Sequence, residues 1–172
     1  SRNERREVRL STSEGMPTGA LYVFARMLMR LHDDLQPARI AVVFDAGRKS
    51  FRTEIYPEYK AHRPPPPEDL AIQMPYFRQI VDGFRWPVLS VPGVEADDVI
   101  ATLATQAKAR GWEAVIYSAD KDLMQLVGDG VTMIDALRAI TYTRDEVIKK
   151  FGVPPEQLAD FLALTGDTSD NI

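Results

Sequence analysis

Eight carboxylates gather in four short clusters along this chain: Asp45 in VVFDAG, Glu95, Asp97 and Asp98 in GVEADDV, Asp120 and Asp122 in YSADKDL, and Asp167 and Asp170 in LTGDTSDNI. Two carboxylates about 5 Å apart repel by roughly 3 kcal/mol at an effective dielectric near 20. If the clusters converge, the pool must be neutralised. Hard divalent cations with oxygen ligands, Mg²⁺ or Mn²⁺, are the physical remedy. The chemistry implied is metal-assisted hydrolysis of a phosphodiester, with two ions about 4 Å apart activating a water and steadying the leaving oxygen.

Each cluster has a plainer reading. An acid just after a strand, opening a helix, caps free amides and complements the helix dipole. One acid per helix start suffices for that, yet GVEADDV places three within four residues and SADKDL two within three. Glu95 and Asp98, three apart, neighbour each other on a helix face, and Asp97 points elsewhere.

Rival phosphate and acyl-transfer devices are missing from the sequence. There is no GxxxxGK[ST] and no GxGxxG, so neither a P-loop nor a dinucleotide fingerprint is present. Ser118 and Ser169 have no histidine nearby, which leaves a serine triad without a base. The chain has no cysteine, and its two histidines, His32 and His62, lie far apart; thiolate sites are excluded and a zinc site is disfavoured.

The elements that must position these acids follow from periodicity. Compact apolar runs over 39–45, 87–91 and 113–119 read as strands, each ending just before a cluster. Residues 131–135 and 139–143 read as two more strands, paired as a hairpin. Helical spacing predicts helices over 18–34 (Leu21, Phe24, Met27, Leu28, Leu31) and 68–83 (Leu70, Met74, Phe77, Ile80, Val81). Further helices are expected over 96–110, 121–127, 144–150 and 155–164, Pro154 and Pro155 suiting the start of the last. This alternation predicts an α/β domain over 18–172, a mainly parallel twisted sheet flanked by helices, behind a flexible segment 1–17. Three clusters would then lie on the carboxyl edge of one sheet, where such domains place their sites. Trp86 and Trp112 read as packing at strand entrances.

The substrate is suggested by residues 46–66, where Arg48, Lys49, Arg52, Lys60 and Arg63 alternate with Phe51, Tyr56 and Tyr59 before the run Pro64 to Pro67. Such a segment reads as a protruding basic loop or arch. Its cations would bind phosphates and its aromatics would stack on unpaired bases; the competing reading is a solvated loop with aromatics tucked beneath it. The net charge of −4 hides an asymmetry: residues 1–66 hold 12 Lys/Arg to 8 Asp/Glu (+4), and residues 67–172 hold 9 to 17 (−8). That is a polyanion-binding surface beside a cation-requiring centre. No apolar run approaches the 18 residues of a membrane span, the polar N-terminus does not read as a signal peptide, and the lack of cysteine fits a reducing cytoplasm.

At these motifs the chain resembles the 5′-nuclease family, which comprises the N-terminal 5′→3′ exonuclease domain of bacterial DNA polymerase I and the related flap endonucleases. The matching strings are VVFDAG, FRTEIYPEYKAHRPPPPEDL, VPGVEADDVIATLA, YSADKDLMQLV and LTGDTSDNI, with MPTGALYVFARML fitting the family's first helix. The resemblance runs colinearly over residues 15–172 and implies a PIN-like fold with a helical arch. It implies that Asp45, Glu95 and Asp97 serve one Mg²⁺ ion and Asp120, Asp122, Asp167 and Asp170 a second, with Asp98 close to both and Mn²⁺ a possible substitute. Lys60 and Arg63 would approach the scissile phosphate, Tyr59 would lie beside the terminal base, and Arg52 would be a further phosphate contact; Arg48, Lys49 and Tyr56 complete the expected DNA-binding set. The implied activity is a 5′→3′ exonuclease and 5′-flap endonuclease acting on DNA flaps, nicks and RNA-primed strands during primer removal and repair, as a monomer in the nucleoid-associated cytoplasm. The family also has an earlier strand ending in a metal-binding Asp, unmatched in residues 1–15, and continues into a helix-hairpin-helix element, so the sequence reads as a fragment of a longer protein, and the resemblance to DNA polymerase I implies a polymerase domain as one candidate partner in that parent chain.

Overall fold

A computed structural model describes residues 10–47 and 49–166. Its Cα positions separate into two compact units. One comprises the chain up to Val42 together with Pro64–Leu89, the other Val43–Arg63 together with the chain from Ser90 onward.

In the first unit, residues 10–18 close on themselves, the Thr18 N–H donating to the Leu10 carbonyl at 2.8 Å. Helix α1, Gly19–Leu35, follows, and it stops where Gln36 turns left-handed at φ 41° and donates its N–H to His32. Helix α3, Glu68–Gly83, packs against α1. It starts after Pro67, with Glu68 and Asp69 in the first turn complementing the dipole. The apolar stripe predicted for it holds at Val81, which is fully buried, but Met74 is 53% exposed and Gln73 is buried instead. The reason is a hydrogen bond. Gln73 Oε1 accepts the Leu21 N–H at 3.1 Å, one of the amides that α1 cannot satisfy internally. Phe24 and Phe77 meet edge to face with centroids 4.9 Å apart, and Trp86 stacks on Phe84 at 4.7 Å.

Strand β1 is limited to Val42–Val43 and pairs with β2, Val88–Leu89. The runs over 39–45 and 87–91 are therefore apolar loops for most of their length. Among the described residues the strands make two ladders instead of one continuous sheet. The second ladder, in the second unit, runs β3 (Ala114–Tyr117), β4 (Val131–Asp135), β5 (Ile140–Tyr142); β3 and β4 are parallel, β4 and β5 an antiparallel hairpin. Asp135, buried at the hairpin, accepts the N–H groups of Leu137 and Arg138 and the Arg138 guanidinium.

The second unit also holds α2 (Phe51–Ile55), α4 (Ala96–Ala109), a 3-10 segment (Lys121–Leu126), α5 (Arg144–Phe151) and α6 (Pro155–Thr165). The sequence predicted an ordinary helix over 121–127. The tighter winding stacks Leu123 over Leu126 and Met124 over Val127, pairs three residues apart that a 3-10 turn eclipses. Leu123, Met124 and Val127 are all buried. Ile116, Met133, Val147 and Leu158 join them in one core. Leu158 is 0% exposed, so Leu158→Ala should cost about 2–5 kcal/mol, read as a lowered urea midpoint with an unchanged slope.

Candidate active site

All of the site described here belongs to the second unit. The loop after β1 carries Asp45 to the start of α4, where its Oδ1 accepts the Ala96 N–H at 2.7 Å. Glu95 precedes α4, and its N–H donates to Asp98 Oδ2 at 2.9 Å, the reach-back half of a capping box. Asp120 opens the 3-10 segment by accepting the Asp122 N–H at 2.9 Å. Capping is thus realised in all three described clusters. It engages one oxygen each of Asp45, Asp98 and Asp120, and it does not prevent the clusters from pooling.

The pool is a cleft of about 440 Å³. Glu95, Asp97, Asp98, Asp120 and Asp122 line it together with Arg52, Tyr56, Tyr59, Lys60 and Arg63, and Asp45 lies outside this lining. Asp97 feels the crowding most. Burial, then the charge of Asp120 and those of Asp45 and Glu95, push its carboxyl up to about 6 against the pull of Lys60. Glu95 moves the other way. Burial raises it, but the hydrogen bond and charge of Lys60, with Ser50 and Tyr59, hold it below the usual carboxylate range.

The basic segment folds down onto these acids. After α2, the chain makes successive tight turns, with Tyr59, Ala61 and Arg63 donating N–H groups to Tyr56, Glu58 and Lys60. Lys60 sits in the left-handed region at φ 55°, a conformation that disfavours a residue with a Cβ. That turn places its Nζ 2.8 Å from Glu95 Oε2. Tyr59 donates its hydroxyl to the same oxygen at 3.1 Å. Arg52 grips both oxygens of Asp98 at 2.7 Å, and the hydrogen bond from Arg52 holds Asp98 below the usual range against burial.

Several placements differ from the simple expectation. Tyr59 is 8% exposed with Lys60 over its ring at 4.8 Å, so its faces are covered here; Tyr56 and Phe51 are the exposed aromatics of the segment. Arg52, expected at a phosphate, is bound to Asp98, whose oxygens are thereby turned to the wall and to the Glu95 amide. Lys49 lines a separate depression with Ser50, Glu54 and Gly93. Arg48, Asp167 and Asp170 lie outside the described residues. Ser50, which no motif singled out, is 5% exposed and donates Oγ to Glu95 Oε1 at 3.1 Å.

The donor set fits a hard divalent cation: it is oxygen-only and rich in carboxylate, and like-charge crowding raises Asp97. Among the described residues no three acidic or histidine side chains are already gathered to hold an ion. Lys60 and Arg52 each form an ion pair with an acid of the cleft. A pH dependence follows. Between its ordinary value of 3.8 and about 6, folded Asp97 holds a proton that the unfolded chain has lost. Stability of the metal-free protein should therefore fall as pH rises through about 4 to 6. Glu95 and Asp98, shifted downward, act the opposite way but at lower pH. Melting temperatures across that window check the sign, and millimolar Mg²⁺ should flatten the slope.

Small sheets packed with helices, and an acid-lined cleft under a basic turn, define a PIN-like nuclease domain. The chain belongs to the family described as the 5′-3′ exonuclease, N-terminal resolvase-like domain, whose family model matches residues 4–152. It is 47% identical to the 5′-3′ exonuclease of Aquifex aeolicus over 95% of this chain and 56% of that protein. To the thermostable DNA polymerase I of Thermus thermophilus it is 44% identical, over 95% of this chain and 19% of that one. The chain thus spans about half of the first relative and under a fifth of the second. Among solved structures it is similar to the bacteriophage T5 flap endonuclease in a pseudo-enzyme-product complex with DNA and metal ions, with TM-score 0.73 and 25% identity over 91% of this chain and 61% of that one. It is also similar to T5 5′-exonuclease with bound zinc, with TM-score 0.70 and 25% identity over 88% and 60%. No helix among the described residues is long and apolar enough to cross a membrane.

Proposed function

We propose that this chain is the catalytic domain of a Mg²⁺-dependent 5′-nuclease that hydrolyses DNA phosphodiesters at 5′ ends and flaps. The observation that carries this reading is that Glu95, Asp97, Asp120 and Asp122 line one cleft together with Arg52, Lys60 and Arg63. Carboxylates suit the cations and the basic wall suits a phosphate backbone. A bound pair of divalent ions would supply activation of water and stabilisation of the leaving oxygen. Asp45, Glu95, Asp97, Asp120 and Asp122 would hold them, and Asp167 and Asp170, outside the described residues, are the further carboxylates that the sequence resemblance assigns to the second ion. Lys60 and Arg63 would set positive charge where the phosphate gains negative charge. Arg52 would act by holding Asp98, and the exposed Tyr56 would meet an unpaired base.

The relatives named DNA polymerase I support a place for this domain beside a polymerase in one parent chain; its substrates would then be the 5′ ends of RNA-primed strands, and it would act as a monomer in the cytoplasm. A second reading has its own support, because Lys60 and Arg52 each already form an ion pair with an acid of the cleft. In it the chain holds DNA 5′ ends without cutting them. The deciding experiment incubates a labelled 5′-flap duplex with the protein, with and without Mg²⁺. Metal-dependent release of the flap is expected; binding without release supports the second reading, and a preference for unstructured RNA would indicate a PIN-type ribonuclease.

A further inference from the structure

Ser50 stands at the N-cap of α2, where a serine hydroxyl ordinarily accepts an N–H from the helix's first turn. Here it makes no such bond. Its Oγ instead donates to Glu95 Oε1 at 3.1 Å, across 45 residues of sequence. The backbone around Ser50 is fixed on both sides. Ser50 bridges Gly93 in parallel, with the Phe51 N–H on the Gly93 carbonyl at 2.9 Å, and the Ser50 carbonyl accepts the Thr53 hydroxyl at 2.7 Å. The hydroxyl is therefore a buried donor on a rigid mount, given to a carboxylate in place of its own helix.

The consequence is that the two oxygens of Glu95 are sorted. Oε1 is tied to the wall by Ser50, and Oε2 faces the cleft, where it receives Lys60 at 2.8 Å and Tyr59 at 3.1 Å. The ammonium of Lys60 marks the oxygen that a cation in the cleft can reach. Glu95 also takes part in the capping box with Asp98 and receives Lys60 and Tyr59 on Oε2, and Ser50 is the side-chain donor on Oε1.

We propose that Ser50 is a positioning residue for cation binding: its hydroxyl holds Glu95 so that Oε2 is presented to a divalent ion in the cleft. This rests on the reading of the cleft as a metal-dependent nuclease site. Partners that orient metal ligands in this way are typically worth 10–100-fold in metal affinity.

The test measures Mn²⁺ binding to the whole chain, without DNA, by the loss of the free-ion EPR signal. Ser50→Ala should weaken Mn²⁺ binding about 10-fold, with little change in melting temperature because no cap bond is lost. The isosteric pair Ser50→Thr and Ser50→Val differs only in the hydroxyl, so any packing cost is common to both; Thr should bind within about 2-fold of wild type and Val should match Ala. In cleavage assays the Mg²⁺ concentration for half-maximal rate should rise in Ser50→Ala, with kcat at saturating Mg²⁺ nearly restored. Equal Mn²⁺ affinity in Ser50→Ala and wild type overturns the proposal, as does a Thr variant as weak as Val. A wild-type chain that binds no Mn²⁺ at millimolar concentration defeats the reading of the cleft itself, and the proposal with it. A normal wild-type isotherm with an unchanged Ala variant defeats only the role of Ser50.

Discussion

Asp97→Asn is expected to lower metal-dependent cleavage by about 10³-fold, equivalent to about 4 kcal/mol of transition-state stabilisation, and at the same time to make the metal-free protein more stable. The two effects share one cause. Asp97 lies in the cleft with the charges of Asp120, Asp45 and Glu95 upon it, and its carboxyl is pushed up to about 6. At neutral pH the folded chain therefore holds a carboxylate that its surroundings disfavour. Asparagine keeps the shape and removes the charge. Asp97 is partly open to water, which screens the repulsion, so the gain should be about 1 kcal/mol, a rise in melting temperature of about 2–4 °C for a chain of this size. Scanning calorimetry without metal reads the gain, and turnover of a flap substrate reads the loss. The variant should also lose the fall in stability between about pH 4 and 6, since that slope belongs to Asp97. A variant that is less stable and still active would show that Asp97 is held for packing and not for cations.

The same residues show where sequence reading succeeds and where it stops. Helix α3 was legible to the residue because its signals are local: Pro67 and two acids at the start, Gly83 at the end, and an apolar stripe between. The acidic clusters were legible for the same reason, as residue types at short spacing. Partnerships between segments were not. Arg52 reads as a phosphate contact because it lies in a basic run, yet it spends both guanidinium arms on Asp98, 46 residues away. Gln73 takes the buried place predicted for Met74 because it meets an amide 52 residues earlier. Nothing in the spacing of either residue encodes those bonds. The strand predicted over 39–45 shortened to Val42–Val43, the two residues that pair with β2, and no residue of that run is fully buried; an apolar β-branched run does not by itself fix how long a ladder becomes. The supposed choice between capping and metal binding was also too sharp. A carboxylate has two oxygens, and Asp45 and Asp120 each use one to open a helical turn while still contributing charge to the cleft.

Lys60→Ala should separate two roles of one ammonium. Lys60 lies 2.8 Å from Glu95 Oε2 and is only 24% exposed. With no divalent ion bound, and against burial, its hydrogen bond and charge, with the hydrogen bonds of Ser50 and Tyr59, hold the Glu95 carboxyl below the usual carboxylate range. For an ion to reach Oε2 the ammonium must withdraw from its 2.8 Å contact, which would free it to meet a phosphate in the cleft. Removing it should therefore strengthen Mn²⁺ binding in the absence of DNA, by roughly the several-fold that a partly exposed ion pair is worth. The same change should slow cleavage by about 10²-fold, since a donor aimed at the charge that develops in the transition state is lost. Affinity for a flap substrate should fall far less, because Arg63 and the rest of the basic segment remain. The backbone control is built in: position 60 is left-handed at φ 55°, and alanine bears the same steric penalty there as lysine, so the strain is not relieved. Glycine would relieve it, and Lys60→Gly should match Lys60→Ala in turnover while melting higher. Weaker Mn²⁺ binding in Lys60→Ala would mean that the ammonium assembles the carboxylates instead of competing for them, and equal losses in turnover and DNA affinity would reduce Lys60 to a phosphate anchor.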